Sequence, residues 1–133
     1  MGASRLCIKW IAFVCASCAF AETFPPAEIK VLGSTEYGQT SAPVRYSGSP
    51  KYRAFGFNAK PGDYLEIWVH ARRGIPKAFL TDSSFQSLAG GKAHFSTQIP
   101  SESQPATYYV VFYGSNFKPG TFTIELQRPS GPR

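Results

Sequence analysis

The stretch whose reading decides the fold is Gly62 to His70, GDYLEIWVH. Successive residues of a β-strand point to opposite faces. Here Leu65, Ile67 and Val69 form one purely apolar face, while Tyr64, Glu66, Trp68 and His70 form the other. Burying the second face would bury Glu66 and His70 without partners, which is costly. The strand is therefore half-buried, with Trp68 and Tyr64 on its wetter side.

Upstream, KYRAFGFNA (51–59) alternates in the same way, with Phe55, Phe57 and Ala59 on one face. Between the two strands lies KPGD, in which Pro61 and Gly62 suit the central positions of a type II turn. A tight pairing of Lys60 with Asp63 would set Phe57 opposite Glu66, so the hydrophobic pattern demands a different register. The register expected from a longer loop or a bulge pairs Ala59 with Leu65, Phe57 with Ile67 and Phe55 with Val69. It places Gly56 across from Trp68, where the indole would lie over bare backbone. Two roles for Trp68 follow: it covers Gly56, or it forms an aromatic ligand platform with Tyr64 and Tyr52.

The rest of the chain is built alike. EIKVLG (28–33) reads as a first strand, followed by a polar, turn-rich stretch; KAFLTD (77–82) is a short strand and SSFQSLAGG (83–91) a loop. KAHFSTQI (92–99), TYYVVFY (107–113) and TFTIELQ (121–127) are further strands, with Phe122, Ile124 and Leu126 inward. Phe55, Phe57, Phe95, Phe112 and Phe122 read as core. No helical periodicity, internal repeat or low-complexity segment occurs, so the fold class is all-β: a compact antiparallel β-sandwich.

Residues 1–21 stand apart. Arg5 and Lys9 precede a short apolar run that ends in Ala19-Phe20-Ala21, the layout of a cleaved secretory signal peptide. The run is too short to span a bilayer. The rival readings are a buried N-terminal strand and a lipid anchor on Cys18; for the anchor, Cys15 stands where a lipobox requires a Leu-like residue. Cleavage after Ala21 leaves 112 of the 133 residues, one domain, and lowers the formal net charge from +6 to +4. All three cysteines (Cys7, Cys15, Cys18) leave with the leader. The exported chain then holds no disulfide, cysteine nucleophile or thiolate metal site. Its cations are scattered apart from Ala71-Arg72-Arg73, which gives nucleic-acid binding no support.

From about Tyr37 to Leu126 the order of features resembles the bacterial pre-peptidase C-terminal domain. The carriers are YRAFGFNAKPGDYLEIWV, GIPKAFLTD, ATYYVVFYG and KPGTFTIEL. The likeness implies a jelly-roll-like sandwich over 37–127, after an N-terminal strand and linker (22–36) and before a flexible tail (128–133). It implies a non-catalytic accessory of exported enzymes, here as a stand-alone module. Ala106 replaces the family's usual glycine before Thr107-Tyr108. Calcium-binding relatives use acidic clusters, whereas Asp63, Asp82 and the glutamates here are dispersed, so neither a metal nor another cofactor is expected.

Catalytic patterns are missing from the sequence. His70 and His94 fall on polar strand faces, Glu66 is the nearest acid to His70, and no serine sits in G-x-S-x-G. The remaining signal is aromatic. Tyr108, Val110 and Phe112 point inward, leaving Tyr109 and Tyr113 outward. Trp68, Tyr64, Tyr52, Tyr109 and Tyr113 are the candidate ligand-binding residues, for an extracellular polysaccharide or protein. The alternative is a structural or inhibitory protein that docks on another exported protein by a strand edge or by the loop GSNFKPG (114–120).

Overall fold

The computed structural model describes residues 22–100 and 106–128; the expected signal peptide and residues 129–133 of the expected tail lie outside them. Ten strands follow in order: β1 (Ile29–Ser34), β2 (Gln39–Thr40), β3 (Val44–Tyr46), β4 (Tyr52–Ala59), β5 (Tyr64–Arg73), β6 (Pro76–Thr81), β7 (Ser87–Lys92), β8 (His94–Gln98), β9 (Ala106–Gly114) and β10 (Gly120–Gln127). They form two sheets, β1-β4-β9-β6-β7 and β2-β10-β5-β8, with β3 also paired to β10. The all-β sandwich is the architecture expected from the alternation.

The core lies between the sheets and is made by the residues the alternation assigns to it. Leu65, Ile67, Phe112, Phe122 and Leu126 are each wholly buried, and Phe57, Ala59, Val69, Tyr108, Val110 and Ile124 are nearly so. Phe55 and Phe95 are partly buried against this cluster.

Strand pairing differs from expectation in an instructive way. Lys60–Asp63 is a turn, closed by the Asp63 N–H donating to the Lys60 carbonyl at 3.1 Å, and Gly62 takes the positive φ of 82° that the turn requires. Yet β4 and β5 are not a hairpin: β4 pairs with β1 and β9, and β5 with β10 and β8. The conflict between a tight turn and the hydrophobic pattern is resolved by carrying the chain from one sheet to the other, not by a bulge. Phe57 and Ala59 on one sheet then face Leu65 and Ile67 on the other across the core. Among the described strands, β6 and β7 are the one consecutive pair that forms a hairpin.

Three smaller expectations are corrected. The segment expected as a loop at 83–91 contains β7, whose Gly90 and Gly91 (φ 131° and 104°) hide the strand from a propensity reading. The turn-rich stretch GSTEYGQTSAP (33–43) contains the short strand β2, and β3 follows directly after it. The sandwich is antiparallel except for β1, which runs parallel to β4.

The N-terminal segment is packed rather than trailing. The Glu22 carbonyl accepts from the Ser87 N–H at 2.6 Å, and the Phe24 N–H donates to the Phe85 carbonyl at 2.9 Å. Phe24 is buried on the outer face of the first sheet, where it forms a second small core with Ala54 and Val111. At the other terminus Arg128 is held, its guanidinium 4.0 Å from the centre of the Tyr37 ring and 3.7 Å from Asp63.

Candidate functional site

Trp68 sits mid-strand on β5, the inner strand between β10 and β8, and is half-buried on the outer face of the second sheet. The register places Glu125 of β10 on one side of it and His94 of β8 on the other. Its ring stacks on His94 at 3.5 Å between centroids, with planes 14° apart, and is nearly parallel to His70 at 5.5 Å. Each imidazole is fixed by a glutamate. His94 Nε2 lies 2.6 Å from Glu66 Oε2, and His70 Nε2 lies 3.1 Å from Glu125 Oε1. The Gln127 side-chain amide donates to the other oxygen of Glu125 at 2.5 Å. The hydrogen bonds from His70 and then Gln127 hold the Glu125 carboxyl below the usual carboxylate range.

The face this makes is aromatic at its centre and rich in hydrogen-bonding groups. Ser96 stands opposite Glu66, and Gln98 opposite Tyr64, which is 58% exposed. His70 meets Glu125 rather than Glu66, the partner expected from spacing along one strand; Glu66 goes to His94. Among the described residues neither histidine has a hydroxyl or thiol within hydrogen-bonding distance, and no three metal-ligating side chains come together. The paired imidazoles order the surface around the indole.

The expected single platform of Trp68, Tyr64 and Tyr52 is divided by the fold. Trp68 and Tyr64 share the second sheet, whereas Tyr52 lies on β4 in the first. Gly56 is covered as expected for a bare strand glycine, but the cover is Tyr109 of β9, whose ring would come within 3.1 Å of a Cβ at that position. Tyr52, Tyr109 and Tyr113 do point outward from the main core, yet other aromatics cover them. Tyr52 meets Phe24 edge-on at 5.0 Å and Tyr113 at 5.1 Å; Tyr109 lies against Phe85 at 4.6 Å. Burial, with Glu22 nearby, pushes the Tyr113 hydroxyl up to about 12. Of the candidate residues Tyr64 alone is exposed; Trp68, Tyr52, Tyr109 and Tyr113 are all half-buried, Trp68 against two imidazoles and the tyrosines against other aromatics.

Two features escape a reading of the sequence. The first is the pair of histidines: spacing along one strand says nothing about which residues a neighbouring strand brings alongside. The second is Arg53, only 5% exposed. Its guanidinium donates to the Pro50 carbonyl and, at 3.3 Å, to the Ser49 carbonyl, and lies over the Tyr46 ring at 5.1 Å. It contributes to a cleft of about 510 Å³ at the open side of the sandwich, lined also by Lys30, Leu32, Val44, Arg45 and Phe55. The available signal was a run without acids from Ser41 to Tyr52.

Among the described residues no helix is long and apolar enough to cross a membrane. No protein-family model and no curated protein matches the sequence. The chain is similar to the solved structure of PliG from Aeromonas hydrophila, a periplasmic inhibitor of g-type lysozyme, with 12% identity and a TM-score of 0.51 over 74% of this chain and 97% of that one. It is also similar to the pre-peptidase C-terminal domain of a collagenase from Bacillus anthracis, with 20% identity and a TM-score of 0.49 over 79% of this chain and 100% of that one. At this identity the likeness to the lysozyme inhibitor shows the β-sandwich fold.

Proposed function

We propose that this protein is an exported, non-catalytic binding module that holds an extracellular polysaccharide on the outer face of its second sheet, with Trp68 as the anchor. The observation that carries the reading is a half-buried indole on the outer face of a sheet, bordered by two imidazole–carboxylate pairs, Ser96, Gln98 and an exposed Tyr64. A sugar ring offers an apolar face to stack on an aromatic ring and a rim of hydroxyls for carboxylates and imidazoles. The first sheet differs: its tyrosines pack among Phe24, Phe85 and Phe117, and among the described residues no imidazole–carboxylate pair borders them.

Trp68 is the sole tryptophan after residue 21, so the fluorescence of the exported chain reports this site alone. Titration with soluble cello-, chito- and peptidoglycan-derived oligosaccharides should shift the emission to shorter wavelength for at least one series and protect the indole from acrylamide. An emission that none of the three series changes would count against the reading.

A further inference from the structure

The two ends of the sandwich differ in charge. The connections at one end lie within residues 41–53, 71–77 and 114–121, which carry Arg45, Lys51, Arg53, Arg72, Arg73, Lys77 and Lys118 and no Asp or Glu. The structure brings them together. The Ser115 N–H donates to the Ile75 carbonyl at 2.7 Å, Arg73 and Tyr46 pair with Thr121 and Gly120, and Gly48 abuts the Phe117 carbonyl. Glu36, Asp63 and Asp82 lie on connections at the opposite end. The nearest acids to the basic end are Glu28, 3.6 Å from Lys51, and Glu22, beside Tyr52 and Tyr113. Arg45, Arg72, Arg73, Lys77 and Lys118 make no ion pair among the described residues.

This basic end also carries the most exposed large apolar side chain of the described residues, Ile75 at 72%, with Phe117 beside it at 36%. Phe117 is partly exposed: its ring lies against Tyr113 and Tyr52, with the Lys51 ammonium over it. Asn116 and Phe117 both take a φ of 57°, rare for such residues, and the Phe117 ring is stacked on Tyr113 at 5.5 Å. Ile75 stands on the neighbouring turn, after Gly74.

From this coincidence we infer that the end formed by residues 71–77 and 114–120 docks on an anionic lipid bilayer. Ile75 enters the headgroup region with the exposed edge of Phe117 at its border, and Arg72, Arg73, Lys77 and Lys118 lie over the lipid phosphates. An exposed apolar side chain on a turn, flanked by unpaired cations on the two adjoining strand ends and on a neighbouring loop, fits a laterally mobile anionic surface. A protein partner reached through the same 114–120 loop would instead have to supply an apolar socket with an acidic rim.

Co-sedimentation of the exported chain with vesicles tests this, comparing phosphatidylcholine containing phosphatidylglycerol with pure phosphatidylcholine. Binding should require phosphatidylglycerol and weaken with salt. It should fall roughly fivefold for each cation lost in Arg72→Ser/Arg73→Ser, and roughly tenfold in Ile75→Ser. Trp68→Ala should bind vesicles as the wild type does, which separates this surface from the polysaccharide face. All these positions are at least partly exposed, and an unchanged Tm shows that each variant is folded. No binding to phosphatidylglycerol vesicles, binding indifferent to Ile75→Ser, or capture of a soluble acidic protein by Ile75 without vesicle binding would each overturn the inference.

Discussion

Phe24→Ala tests whether the N-terminal segment is part of the domain. Phe24 is 3% exposed and packs edge-on against Tyr52 at 5.0 Å and Phe79 at 5.2 Å, over the wholly buried Ala54 and Val111. A buried Phe→Ala change costs about 3–5 kcal/mol. The segment is terminal and can move to relieve the void, so the lower end applies, about 3 kcal/mol, or a fall in Tm of roughly 12 °C for a domain of this size. Urea unfolding gives the first number. A second readout is specific to the packing: Tyr52, whose ring Phe24 meets and whose hydroxyl burial pushes up, should ionise closer to the ordinary tyrosine pH of about 10. The reasoning fails if the loss is under about 1 kcal/mol. It fails equally if stability drops and the tyrosine titration does not move.

Three further outcomes are expected. Spectrophotometric titration at alkaline pH should find two tyrosines that ionise last, because burial raises both Tyr37 and Tyr113 to about 12. The folded state then holds these protons where the unfolded chain has released them, so stability should decline from the ordinary tyrosine pKa of about 10 upward. Gly90→Ala should destabilise by at least about 2 kcal/mol, since the added Cβ would meet the Ala78 carbonyl oxygen at 2.4 Å with φ at 131°; Gly56→Ala, which meets only the edge of the Tyr109 ring, should cost less. Mass spectrometry of the exported protein should find Glu22 at its N-terminus; a retained leader or an acylated Cys18 would contradict the signal-peptide reading.

What the sequence disclosed, and what it withheld, follows from the range of each signal. Alternation is local and reports faces: Leu65, Ile67 and Val69 against Glu66, Trp68 and His70, or Tyr108, Val110 and Phe112 against Tyr109 and Tyr113, all as observed. It is silent on partners. The same pattern serves a hairpin and a crossing between sheets, so alternation alone matches Gly56 with Trp68, whereas its neighbour in the fold is Tyr109. The imidazoles beside Trp68 come from one neighbour on its own strand and one on β8, and their glutamates are exchanged between strands. Sequence spacing encodes none of that. Strand β7 was obscured because its Gly90-Gly91 pair permits the close approach to Ala78 and Phe79 that makes the strand possible.

The most direct test of the central claim is retention of wild type and Trp68→Ala on insoluble cellulose, chitin and peptidoglycan sacculi. Removing an aromatic anchor from a binding face costs about 2 kcal/mol, or roughly thirtyfold in affinity. The account predicts retention of the wild type on at least one of these polymers, lost to that extent in Trp68→Ala with little change in Tm and unaffected by Ile75→Ser. Wild-type protein that passes through all three columns, or Trp68→Ala retained as firmly as the wild type, would contradict it.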